Sequence, residues 1–346
     1  MRVLTFSRAV AVMLAVFVAA AGCQVPGDPG RTVGLDAPDV AGERAAPPTE
    51  VTLMLDWVPN TNHSGIFLAR DKGYFAAAGL EVSIVQPGEV MALQAVASGV
   101  AEFGVDFQEQ VTVARADGLP LVSLAAILQH NTSGFASPGE LGVTTPRDWV
   151  GLRYGAFGGP FEEPTLRALM TCAGGDPSGL ELLNAGLVDP LALLATGQTE
   201  LAWIFYGWQG VQAALQGIEL DVIMMEDHFD CVPDYYTPIL ITSEALISAR
   251  PEVVRSFMSA VARGYAEAGG DPSGAAAALL RAAPELDPEL VDESQAWISP
   301  RYRADAYRWG EQSRDVWETY ARWMVANGVI ERMIDVDAAF TNAFLP

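Results

Sequence analysis

The sequence predicts an α/β protein of two lobes with a cleft between them, and three observations carry that reading. Short apolar runs alternate with helical stretches from residue 51 onward, and the alternation restarts after Pro146. The 297 residues of 50–346 also exceed one ordinary domain of roughly 100–200 residues. Half of the chain is apolar, enough for a large core.

The elements follow in order. Residues 51–55 form a first strand, 63–75 a helix closed at Gly73 and Tyr74, and 80–85 a second strand. A helix over 90–98 leads to a strand at 101–105, a helix over 108–116 and a strand at 121–128, rich in leucine and β-branched residues. After Pro146 come a strand at 152–154, a glycine-rich loop, a helix over 162–172 and a strand near 181–183. A helix over 191–196, a strand at 201–205, a helix over 208–216 and a strand at 221–225 complete the second run. Residues 236–242 are apolar again, and helices fill the remainder at 251–268, 272–282, 288–298 and 304–327. The first three of these begin with proline, where the missing amide costs nothing. The sheets are expected to be mostly parallel. The chain is expected to leave lobe one, build lobe two and return, dividing as 50–144 with 238–346 for the first and 145–237 for the second. Small molecules bind in α/β proteins at such interlobe clefts, beyond the carboxyl ends of strands.

At the N-terminus, Arg2 and Arg8 precede an apolar run from Ala9 to Ala21 that ends in small residues before Cys23. That is the pattern of a secretory signal over 1–22, and the run is too short for a permanent bilayer span. The junction Ala20-Ala21-Gly22-Cys23 resembles a bacterial lipobox, in which Cys23 carries the lipid, although such boxes usually have Leu where this chain has Ala20. Residues 23–49 are Pro, Gly, Asp and Ala with almost no large apolar residue, the composition of a tether. The expected location is outside the cytoplasm, on the membrane surface through acyl chains.

Net charge is −23 and Lys72 is the sole lysine. Nucleic acid is excluded as a partner, because phosphate neutralisation needs clustered Lys and Arg. Besides Cys23 there are two cysteines, Cys172 and Cys231, and the sequence leaves open whether they pair or remain buried thiols.

Four segments that follow strands are rich in polar and aromatic side chains. The first is Asp56-Trp57-Val58-Pro59-Asn60-Thr61-Asn62-His63. An indole beside a carboxylate suits a planar ring bearing amino groups, which the carboxylate accepts from. The second, Asp106-Phe107-Gln108-Glu109-Gln110, opens a helix, where acids also belong for dipole reasons. The third, 129–134, contains Asn131, whose amide both donates and accepts. The fourth joins 157–163, with Phe161 and Glu163, to Tyr206-Gly207-Trp208. Its glycines precede a helix and could cradle phosphate, but Glu162 and Glu163 at the helix start repel an anion. No Arg or Lys stands in any of these segments, so phosphate, sulfonate and carboxylate ligands are disfavoured.

The stretch 55–63, with Lys72-Gly73-Tyr74-Phe75, Gln108-Glu109-Gln110-Val111, 129–137, Tyr206-Gly207-Trp208, Pro233-Asp234-Tyr235-Tyr236-Thr237-Pro238 and Ser299-Pro300-Arg301-Tyr302, resembles the thiamin-pyrimidine-synthase-like family, in its bacterial binding-protein branch. The resemblance covers nearly everything after Glu50. It implies a type II periplasmic binding protein with two Rossmann-like lobes, a monomer that passes a small heteroaromatic ligand to the permease and ATPase of an ABC importer. Formylaminopyrimidine and riboflavin are the ligands it implies. It further implies that Asp56 and Trp57 meet the ligand ring, with Glu163, Tyr206 and Trp208 closing from lobe two. Asn62, His63, Gln108, Glu109, Asn131, Phe161 and Tyr235 complete the expected ligand set. No catalysis, cofactor or metal is expected. A second branch consists of enzymes that build the pyrimidine from pyridoxal phosphate and a histidine, with iron. This chain departs from them with Asp106 at the Schiff-base lysine, Gln110 at the consumed histidine and Cys231 alone for the cysteine cluster. Schiff-base chemistry needs an amine.

Overall fold

The computed structural model describes residues 47–346. The signal, Cys23 and the tether up to residue 46 lie outside the described residues. Ten strands form two five-stranded sheets. The first contains β1 (Thr49–Met54), β2 (Leu80–Val85), β3 (Phe103–Asp106), β4 (Leu121–Ala126) and, last in the chain, β10 (Ile239–Ser243), in the order β2-β1-β3-β10-β4. The second contains β5 (Ser133–Pro138), β6 (Arg153–Ala156), β7 (Glu181–Asn184), β8 (Leu201–Phe205) and β9 (Leu220–Met224), in the order β7-β6-β8-β5-β9. The two orders are the same pattern, and together they make the two-lobed architecture of type II periplasmic binding proteins.

The sheets are mixed, where mostly parallel sheets were expected. In each sheet one strand, β10 or β5, runs antiparallel to both neighbours. These are the strands laid down immediately after the chain crosses between lobes, so each enters its sheet from the opposite end. β5 also moves the first crossing: residues 133–138 pair in the second sheet, whereas the division by sequence kept everything to 144 in the first lobe. The segment Ser133-Gly134-Phe135-Ala136-Ser137-Pro138 carries little β-propensity, yet it is central and almost wholly buried. Small residues are required there, since a Cβ on Gly134 would lie 2.7 Å from the Ile223 carbonyl oxygen.

Prolines start the helices Pro251–Gly270, Pro272–Ala282 and Pro288–Ile298 as expected. The last long helix is shorter than the periodicity suggests. It begins at Arg314, where the Ser313 side chain caps the Asp315 amide, and ends at Ala326. Residues 304–313 are irregular and contain Gly310 at φ 83°. One buried cluster packs the helices Ser64–Asp71, Pro251–Gly270 and Pro272–Ala282 against β1 and β3. A second joins Val111, Ile241, Trp317 and Tyr320 of the first lobe to Phe135, Trp149, Tyr154 and Leu169 of the second. Cys172, at the end of the helix Glu162–Cys172, is disulfide-bonded to Cys231 in the segment after β9, which resolves the question left open by the sequence. Among the described residues, no helix is long and apolar enough to cross a membrane.

Candidate functional site

The carboxyl ends of β1, β3, β6, β7 and β8 face one cleft, placed where α/β proteins bind small molecules. β1 delivers Asp56 and Trp57, and β3 delivers Phe107 and, in the first turn of the helix Gln108–Ala116, Glu109. The second lobe contributes Phe157 after β6, Leu187 and Val188 after β7, and Trp203 and Phe205 on β8. Tyr235 and Thr237 come from the return crossing. Phe107 and Phe205 stack across the lobes with centroids 5.9 Å apart, so an aromatic pair closes part of the gap. A narrower extension is lined by Asn62, Asp189, Trp208 and Gln209.

Asp56 is held from behind. The His63 ring accepts the Asn60 amide at Nδ1 (3.2 Å), which places its proton on Nε2, and that N–H donates to Asp56 Oδ1 at 2.6 Å. Trp203 is fixed by a relay from the first crossing: its indole N–H donates to Ser133 Oγ (2.8 Å), which donates to Asn131 Oδ1 (2.6 Å). Its ring packs against Phe135 at 4.8 Å and edge-on to Phe161 at 6.3 Å. The crossings are themselves clasped. His130 lies between Asp234 (2.6 Å) and Asp305 (3.0 Å), and these carboxylates, Asp234 first, hold its pKa up at about 9.

Burial pushes the Glu109 carboxyl up to about 8, with the charge of Asp106 adding to the effect. Asp106 is likewise pushed up by burial, to about 7, with the charge of Asp56 adding. No Lys or Arg lines the cleft or its extension to offset these acids.

Of the ligand residues expected from sequence, Asp56, Trp57, Glu109 and Tyr235 line the cleft, and Asn62 and Trp208 line its extension. The others stand elsewhere. His63 and Asn131 are buried behind the wall, positioning Asp56 and, through Ser133, Trp203. Phe161 is buried behind Trp203. Gln108 spends its Oε1 on the Tyr236 amide (2.8 Å), tying the helix start to the return crossing. Glu163 is exposed and paired with Arg167 (2.8 Å), one turn along its helix. Its neighbour Glu162 points inward instead: its carboxylate accepts from Tyr154 Oη and from the amides of Phe157, Gly158 and Gly159. The chain's own carboxylate therefore fills the glycine cradle that a phosphate would need.

Tyr206 packs on Trp297 of the helix Pro288–Ile298, with centroids 5.3 Å apart. Ser294 of the same helix donates to the Gly207 carbonyl and bonds Thr61 Oγ1 at 2.6 Å. A Cβ on Gly207 would lie 2.8 Å from the Trp297 ring. The Tyr206-Gly207 turn thus joins the lobes, and only Trp208 of this motif reaches the ligand space.

Phe107 and Phe157 stood in the segments singled out from sequence but not in the expected ligand set, and sequence reasoning missed Trp203, Phe205, Gln209 and the apolar pair Leu187 and Val188. For Trp203 and Phe205 a signal existed: they alternate along β8 with the buried Ala202 and Ile204 and so share the other face.

The fold defines the class. The alkanesulfonate-binding protein SsuA from Xanthomonas axonopodis pv. citri, bound to MOPS, superimposes with a TM-score of 0.66 at 17% identity, over 86% of this chain and 99% of that one. Residues 60–275 match the family model described as NMT1/THI5 like, and the chain belongs to that family. Among its relatives, the formylaminopyrimidine-binding protein of Halalkalibacterium halodurans is 28% identical over 84% of this chain and 89% of its own length. The riboflavin-binding protein RibY of Chloroflexus aurantiacus is 29% identical over 92% of this chain and 93% of its own. A 4-amino-5-hydroxymethyl-2-methylpyrimidine phosphate synthase of Legionella pneumophila is 24% identical over 86% of this chain and 93% of its own.

Proposed function

We propose that this chain is the solute-binding protein of an ABC importer and that it captures a thiamin pyrimidine precursor such as N-formyl-4-amino-5-aminomethyl-2-methylpyrimidine. The observation that carries the reading is the cleft itself, which Trp57, Trp203, Phe107 and Phe205 line together with Asp56 and Glu109, with no basic side chain in the wall. Such a wall stacks a planar heterocycle and bonds its polar edge, and it disfavours sulfonate or phosphate. The two binding-protein relatives support the same class. Riboflavin is the second reading, favoured by the length of the aromatic wall across both lobes and by RibY.

The synthase chemistry of the enzyme relatives does not fit these residues. Pyridoxal phosphate needs an amine and a phosphate cradle. Lys72 is paired with Glu267 at 2.7 Å outside the cleft wall, and the Gly158 and Gly159 amides are occupied by Glu162. The protein therefore acts by capture without turnover, as a monomer that engages a permease and its ATPase. It is exported by the signal at 1–22 and held at the membrane through Cys23.

Thermal unfolding of the purified protein with formylaminopyrimidine, hydroxymethylpyrimidine, thiamin and riboflavin tests the reading, because a ligand that binds only the native state raises the transition temperature. A rise with the formylated pyrimidine is expected. No rise with any of the four removes the substrate class.

A further inference from the structure

The floor of the cleft holds a carboxyl group that the capture reading uses only as one polar group among several. Glu109 is 4% exposed, lines the cleft, and has an Oε2 that is buried without a partner. Acid and hydroxyl groups stand close by. β3 supplies Asp106, the segment after β1 supplies Asp56, the return crossing supplies Tyr235, and the helix Arg314–Ala326 supplies Tyr320. The rings of Tyr235 and Tyr320 stack at 4.2 Å, and both hydroxyls are buried. The imidazoles of His63 and His130 are already bonded to carboxylates, His63 to Asp56 and His130 to Asp234 and Asp305.

We propose that Glu109 is the specificity-determining residue of the cleft, meeting the ligand as a neutral carboxyl whose O–H donates and whose carbonyl accepts. Burial without a cation favours that form, and the group's pKa near 8 agrees with it. The inference rests on the proposed capture function and deepens it. A carboxylate only accepts, whereas a carboxylic acid offers one donor beside one acceptor. Its complement is a ring edge with an acceptor next to an N–H: the amidine edge of an aminopyrimidine, or the imide edge of a flavin. An edge with two adjacent acceptors, or a methylated N–H, leaves one buried group unpaired and is rejected.

The proton for this pairing resides on Glu109 below pH 8 and must be taken from solvent above it. Titration calorimetry of the full protein with formylaminopyrimidine and with riboflavin, at pH 7 and pH 9 in buffers of different ionisation enthalpy, reads that proton. Expected are near-zero uptake at pH 7, close to one proton at pH 9, and about tenfold weaker binding at pH 9. Glu109→Gln keeps an N–H donor and a carbonyl acceptor but cannot titrate, so its binding has the same affinity at pH 7 and pH 9 and takes up no proton; Glu109→Leu loses capture. Binding at pH 9 without proton uptake overturns the proposal. Uptake that survives in Glu109→Gln belongs to Asp106 and also overturns it. Absence of binding by the unaltered protein at pH 7 with both probes defeats the capture function itself.

Discussion

Breaking the Cys172–Cys231 bond should destabilise the protein without touching ligand capture. The bridge closes a loop of 59 residues in the second lobe, from the end of the helix Glu162–Cys172 to the segment after β9. Cross-linking denies the unfolded chain the conformations in which those ends are apart, and for a loop of that length the chain-entropy relation gives about 4 kcal/mol at 25 °C. Neither cysteine lines the cleft. The assay is urea unfolding followed by tryptophan fluorescence, with the oxidised protein, the reduced protein and a Cys172→Ser, Cys231→Ser double variant compared at equal concentration. The expected result is a stability lower by about 4 kcal/mol in both thiol-free states, with unchanged affinity for the ligand. A loss below about 1 kcal/mol, after thiol titration confirms complete reduction, refutes the reasoning from the unfolded chain. A fall in affinity refutes the separation of bridge from cleft.

Two further outcomes follow from the cleft. Trp203→Ala should weaken capture by roughly 1–3 kcal/mol, the range measured for aromatic stacking on bases, and calorimetry that finds the same affinity returns Trp203 to a packing role. Ligand-free stability should fall as pH rises. Glu109 and Asp106 hold protons in the folded state up to about pH 8 and 7, where the unfolded chain has already released them near pH 4. Their stabilisation is complete below about pH 4 and is lost toward pH 8, by about 1.4 kcal/mol per pH unit for each group still protonated. His130 adds in the same direction between about pH 6.5 and 9. Unfolding midpoints measured from pH 5 to pH 9 check this, and a slope that is flat or rising over that range contradicts it.

Much of the fold was legible because its signals are local. The prolines at 251, 272 and 288 open helices in the structure, and each strand read from an apolar run exists within a few residues. The strand that was not legible, β5, is specified by what lies beside it. Gly134 is there because the β9 backbone approaches closely, and nothing in its own segment announces a strand. The site shows the same division. Asp56 and Trp57 follow the first strand and could be placed from it, whereas Glu162 and Glu163 look equivalent in sequence and face opposite ways. Tyr206 looked like a ligand group because its partner, Trp297, lies 91 residues away. The acidity of the wall could be read from composition. The protonation of Glu109 could not, because it depends on how deeply that carboxyl is buried.

The helix Pro288–Ile298 has a consequence for how the lobes meet. It grows from the first lobe, yet its Trp297 and Ser294 hold the Tyr206-Gly207 turn of the second, and it contributes nothing to the cleft wall. This contact between the lobes is therefore made by residues other than those that line the main cleft. A single methyl at Gly207, meeting the Trp297 ring, should therefore alter how the second lobe seats on this helix without exchanging any residue of the cleft wall.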